Sequence, residues 1–154
     1  MSNFNAEAFM NATFSEAHDI ILAPCPAGEF VAQVASITPA DGIIGKGDNI
    51  GKPWARLDVA YEIQDESVRQ QLGRSKVTVR QGIMLDLTDA GGINMAKGSN
   101  IGLGRFREAC GINQAGFSLA QAVGRTVKVS VKHVPSFRDP SIIVAEVTGV
   151  AALA

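Results

Sequence analysis

Cysteine and histidine are scarce in this chain of 154 residues: Cys25, Cys110, His18 and His133 are the whole supply. They stand singly and far apart along the chain, with only two histidines among them, so no zinc site is expected. The two cysteines lie far apart in unlike contexts, so two reduced, partly buried thiols are expected. No apolar run approaches the ~18–20 residues of a membrane span, so no membrane partner is expected. The first fourteen residues lack a basic stretch followed by an apolar one. No secretory signal is therefore expected, and the expected location is the cytoplasm. Tryptophan and tyrosine occur once each, as Trp54 and Tyr61. Net charge is also nearly absent, at −1.

That small net charge is two large ones that cancel. Residues 1–68 hold ten acids and three bases, a net of −7, whereas residues 69–138 hold eleven bases and three acids, a net of +8. A basic segment of that size suggests a surface that meets a polyanion. The length suits one domain with a self-sufficient core.

Residues 1–27 read as an N-terminal arm, small and polar, with Phe4, Phe9 and Phe14 at intervals of five. That interval makes no continuous helical stripe but is compatible with a short helix over Ala6–Asn11, and Pro24 and Pro26 stop regular structure. The arm either docks its phenylalanines on the body or reaches a neighbouring subunit. Residues 28–154 read as a single domain. A first strand carries Phe30, Val31, Val34 and Ile37 and is expected to end at Thr38-Pro39. Next, Leu57, Val59, Tyr61 and Ile63 alternate with Asp58, Ala60 and Glu62, the period-two signature of a half-buried strand. Residues 64–72 predict a turn or short helix. Residues 76–80 alternate again and run on through Ile83-Met84-Leu85. A long loop over 86–101 precedes a helix over 103–110, and Ser118 caps a short helix at 119–123. Val127, Val129 and Val131 mark the fourth strand, and residues 142–150 the fifth. A helix between the third and fourth of five short strands is the layout of an oligonucleotide-binding (OB) barrel. The expected fold is mainly β: a five-stranded OB-like barrel with that helical segment and the arm. A mixed α+β sandwich is the competitor.

Two glycine-rich stretches fall short of nucleotide motifs. Between Gly45 and Gly51-Lys52 stand five residues where a Walker A loop has four, and Pro53 replaces its Ser/Thr, so a flexible hairpin loop is expected. The Gly98–Gly104 stretch lacks a third fingerprint glycine and reads as a turn that starts the helix. Asp86 and Asp89 read as loop-capping residues rather than a metal pair. His133 has no nucleophile motif near it. No catalytic residue, metal ligand or cofactor is therefore expected, and the chain does not read as an enzyme.

The basic residues remain. Lys76, Thr78 and Arg80 face away from Val77 and Val79, and Lys128, Ser130 and Lys132 face away from their valines. Each strand thus presents a base–hydroxyl–base ladder, which reads either as a solvated face or as a track for phosphates. Lysines and arginines on phosphates release condensed cations, giving affinity blind to sequence. Single strands also need stacking platforms. Trp54 and Phe137 are the candidates, Phe137 beside Arg138 in a loop bracketed by Pro135 and Pro140, while Tyr61 falls in register with the core. Lys46 and Lys52 in the glycine loop can clamp a backbone. The nucleic-acid-binding set is completed by Arg105, Arg107 and Arg125.

Four stretches carry a family resemblance. They are Gly51-Lys52-Pro53-Trp54-Ala55-Arg56-Leu57-Asp58-Val59, Gln81-Gly82-Ile83-Met84-Leu85-Asp86-Leu87-Thr88, the run from Asn100 to Ala109, and Val123-Gly124-Arg125-Thr126-Val127-Lys128-Val129. Together they resemble small phage-encoded proteins of replication and recombination gene clusters, taken to be single-stranded DNA-binding proteins with OB-like barrels. The resemblance implies sequence-independent binding of single-stranded DNA in the cytoplasm of an infected cell. It also implies a homodimer or cooperative array, with phage replication or recombination proteins as further partners. Many such binders end in an acidic tail. Here no acid follows Glu146, so recruitment through a tail is not expected. The alternatives are a non-enzymatic phage structural or assembly protein, in which the opposed charges join subunits, and a regulator that binds a host protein.

Overall fold

In the computed structural model, residues 3–18 and 22–153 are described. Met1, Ser2, Asp19, Ile20 and Ile21 of the arm, and Ala154 of the domain, lie outside them. Five strands form one antiparallel sheet: β1 (Gly28–Ile43), β2 (Pro53–Ile63), β3 (Thr78–Leu85), β4 (Thr126–Pro135) and β5 (Ile143–Ala151). Their order across the sheet is β3-β2-β1-β4-β5. Helices α1 (Ala6–Asn11), α2 (Glu66–Leu72) and α3 (Ile101–Ala109) and a 3-10 turn at Leu119–Ala122 complete the chain. No described helix is long and apolar enough to cross a membrane.

β1 holds the sheet together by serving two partners. Residues Gly28 to Gln33 pair with β4, and Ala32 to Ile43 pair with β2. A bulge between Val34 and Ser36 shifts the register, and a bulge bends a strand and sharpens its twist. Because β1 turns from one partner to the other, the sheet curls and its outer strands β3 and β5 come together. Every neighbouring pair is antiparallel, so these two edges run in the same direction. No strand ladder joins them among the described residues, and the sheet is not closed into a barrel. The sequence expectation is thus met at the level of a mainly β fold with five antiparallel strands.

The strand expected to stop at Thr38-Pro39 continues to Ile43. Pro39 lies on the part of β1 that only β2 pairs, and an edge position tolerates a residue without an N–H. The other strands follow their alternation. Leu57, Val59, Tyr61 and Ile63 of β2, Val79 and Ile83 of β3, and Val127, Val129 and Val131 of β4 are all buried. α3 sends Leu103, Phe106 and Ala109, spaced three apart along one face, onto the same core and packs against β3 and β5. Phe106 is fully buried and meets the Tyr61 ring edge-on at 6.4 Å. The Tyr61 hydroxyl donates to the Gln81 side-chain oxygen at 2.5 Å, so its one polar atom is satisfied inside the core.

The arm divides into a fastened part and an exposed part. Residues 22–27 are held to the sheet: the Arg74 guanidinium donates to the Ala23 carbonyl, and His133 Nε2 donates to the Cys25 carbonyl at 2.7 Å. Helix α1 forms with Asn5 as its N-cap, accepting from the Ala8 N–H. The phenylalanines pack on one another. The Phe4 and Phe9 rings lie 5.3 Å apart and Phe9 and Phe14 6.4 Å apart, while Phe9 stays 53% and Phe14 63% exposed.

Candidate nucleic-acid interface

Inward burial of Leu57, Val59 and Tyr61 turns Trp54, Arg56 and Asp58 of β2 to the outer face of the sheet. On that face Trp54 lies opposite Gly42 of β1, and Asp58 lies opposite Gly82 of β3. At Gly42 a side chain would have to displace the ring, whereas Gly82 leaves room for ordinary contact. A Cβ at Gly42 would sit 2.8 Å from the indole of Trp54, and one at Gly82 would meet the Arg56 stem at 3.4 Å. The indole therefore rests flat against the β1 backbone. The Arg56 guanidinium sits over it, 5.4 Å from the ring centre, and is oriented by Asp58 through bonds of 2.8 and 3.3 Å.

The same face continues into a groove of about 510 Å³ along the seam of β3 and β5. Asp58, Arg80, Gly82, Phe137, Val144 and Glu146 are among its walls. Phe137 is fully exposed, and its loop is ordered by a Ser136 N–H to Ile142 carbonyl bond and by Asp139 accepting from Ser141. Those Ser141 bonds hold the Asp139 carboxyl below its ordinary range. Arg138 is exposed beside Phe137. Two aromatic residues and two arginines thus share one continuous face.

The remaining sequence candidates are dispersed. Lys132 lies opposite Glu146, one of the groove's walls, on the β4–β5 pair. Lys128 is four residues further along β4 and pairs with Glu29 at 3.6 Å, away from Arg80. Lys76 is exposed just before β3, and Lys46 is exposed in the β1–β2 loop. Arg105 sits on the exposed side of α3, whose other side is on the core, so it does not join the outer face. Arg107 donates to the Ile112 and Gln114 carbonyls, fixing the chain after α3. Arg125 donates to the Gln121 carbonyl. The basic segment therefore does not converge as a whole. The acidic segment also contributes to the outer face, through Asp58, Glu62 and Glu29.

Arg56 was missed in the sequence, although alternation with Leu57 and Val59 already turned it outward. Gly42 and Gly82 gave no signal, because their role depends on the partner strand. The glycine loop behaves as the expected hairpin turn: Ile44 and Lys52 extend the ladder, and Gly51 N–H bonds back to the Ile44 carbonyl at 2.7 Å. Asp86 caps the loop before α3 by accepting the Asn100 N–H at 2.7 Å.

Both thiols are free and buried. Burial pushes Cys25 up and Cys110 to about 11, so both stay protonated and unreactive at neutral pH. A thiol raised on folding carries stability that is complete below its unfolded value of 9.0 and lost as pH rises through about 11. Buried Tyr61 shifts in the same direction. Thermal midpoints are therefore expected to fall between pH 9.0 and about 11, and a flat midpoint across that window would contradict the assignment.

No known protein family, curated protein or solved structure matches the chain.

Proposed function

We propose that this protein binds single-stranded DNA without regard to sequence, in support of phage DNA replication or recombination. The observation that carries the reading is the outer face: Trp54 under Arg56 at one end, Phe137 beside Arg80 at the other. Asp58 and Trp54 are four residues apart along β2, about 13 Å at the rise of a strand. Flat rings and guanidinium planes spread over that length suit bases that are not immediate neighbours in an extended strand, while Arg80 and Lys132 suit the phosphates between them. The fold supports the same reading. The sheet order, the approach of β3 to β5, and α3 lying between β3 and β4 in sequence are compatible with an OB-like arrangement and support the reading. The sequence resemblance to phage single-strand binders agrees with it. A dimer or a cooperative array along the strand belongs to the proposal.

Salt titration of oligo(dT) binding tests the reading. Log affinity is expected to fall linearly with log salt, by about 0.7 per phosphate contacted. No binding at low salt would overturn it. Charge reversal separates the two lysines of β4. Lys132→Glu is expected to weaken binding more than Lys128→Glu, because Lys128 is held by Glu29 off the groove.

A further effect follows from the Arg56–Asp58 pair. A phosphate that takes Arg56 must displace the carboxylate now bonded to it. Asp58→Asn is expected to tighten oligo(dT) binding by about 1.5- to 5-fold, the effect of one exposed charge pair. Weaker binding by this variant, measured by anisotropy, would show that Asp58 positions Arg56 for the ligand instead of competing with it.

A further inference from the structure

A second cleft, of about 630 Å³, opens where β2 begins and β3 ends. Pro53 and Leu85 line it, and both turn to the inner side of the sheet, so it lies around the strand ends from Trp54 and away from the Phe137 groove. Its walls are two separate loops, residues 44–52 and 86–100, and each brings one lysine, Lys52 and Lys97. Neither lysine is in an ion pair among the described residues. We propose that this cleft seats one further nucleotide of the bound single strand, with Lys52 and Lys97 on its phosphate. The proposal rests on the single-strand reading of the sheet face.

The loop that carries Lys97 is built to hold its place. Asn100 adopts a left-handed backbone, φ 51°, which asparagine tolerates. From there it closes the loop base with reciprocal bonds: its N–H donates to the Asp86 carboxylate, and its side-chain oxygen accepts the Asp86 N–H, both at 2.7 Å. Its side-chain amide also donates to the Asp86 and Asn94 carbonyls. Lys97 thus stands on a clasped loop, with less conformational freedom to lose on binding. The clasp also occupies Asp86, so one of the two acids in the cleft is already engaged. Asp89 is the other. Asp86 and Asp89 balance the two lysines in formal charge, so a phosphate in the cleft competes with Asp89 for them.

The test compares oligo(dT) of about four nucleotides, which the sheet face alone can hold, with one of about twelve. Lys97→Gln is expected to leave the short oligonucleotide unaffected and to weaken the long one by about three- to tenfold, with a salt slope shallower by about 0.7. Lys97→Arg is expected to restore both. Asp89→Asn is expected to tighten the long oligonucleotide alone. Equal losses at both lengths, or no loss at either, would overturn the cleft as a strand site. If Trp54→Ala weakens both lengths while Lys97→Gln weakens neither, the sheet face stands and the cleft falls. If the unaltered protein binds neither length, both readings fall together.

Discussion

Replacing Trp54 by alanine is expected to weaken oligo(dT) binding by about 5- to 160-fold, the 1–3 kcal/mol that one stacked base carries. The indole is the base layer of the interface. It rests on the Gly42 backbone, where a methyl group would displace it, and it supports the Arg56 guanidinium. Its removal takes away a ring face and leaves Arg56 to the Asp58 carboxylate alone. Trp54 is on the outer face, so the fold loses little when it is shortened. Gly42→Ala approaches the same end by a different route, since the new methyl must push the ring aside. It is expected to give a smaller loss of affinity with no loss of the helical or strand signal. Binding by Trp54→Ala at full strength would remove stacking from the mechanism and leave only charge.

Phe106→Ala is expected to cost about 3–5 kcal/mol of stability, the range for deleting a fully buried aromatic ring. Domains of this kind keep only about 5–15 kcal/mol in total. Phe106 joins the middle of α3 to β2 by its edge contact with Tyr61, and α3 in turn packs on β3 and β5. A cavity at that point separates the helix from the seam that brings the two outer strands together. Urea unfolding measures it: a midpoint shifted down at unchanged slope is the expected result. A shift under about 1 kcal/mol would mean that the surrounding side chains close the gap. Phe106→Leu keeps most of the volume and is expected to lose less.

Strands β2 and β4 were legible because their periodicity is local: each alternates buried aliphatic side chains with polar ones. The turn at Leu119–Ala122 was legible from an equally local signal, the Ser118 cap. What the sequence hid depends on partners far along the chain. Pro39 looked like a strand end, and only the absence of a second partner for that part of β1 lets the strand continue. Lys128 looked like half of a ladder until Glu29 was found within 3.6 Å of it. Arg107 looked like a phosphate ligand, but its guanidinium closes the chain after α3. Charge counted along the chain says which segment is basic, whereas the pairing of strands decides which charges meet. Here the sheet mixes the acidic half with the basic half, and part of the basic segment lies away from the aromatic residues. The Phe137 loop was the most legible part of the interface, because two prolines and a turn-forming Asp139-Pro140-Ser141 announce an exposed tip.

Trp54 is the only tryptophan, so the intrinsic fluorescence of the protein reports on the interface without a label. Titrating oligo(dT) at low salt while following that emission asks directly whether a base joins the Trp54–Arg56 stack. Saturable quenching that is reversed by added salt, and absent with duplex DNA of the same length, is the expected result. Binding seen by anisotropy with no change in Trp54 emission would contradict it, and would move the site off this face.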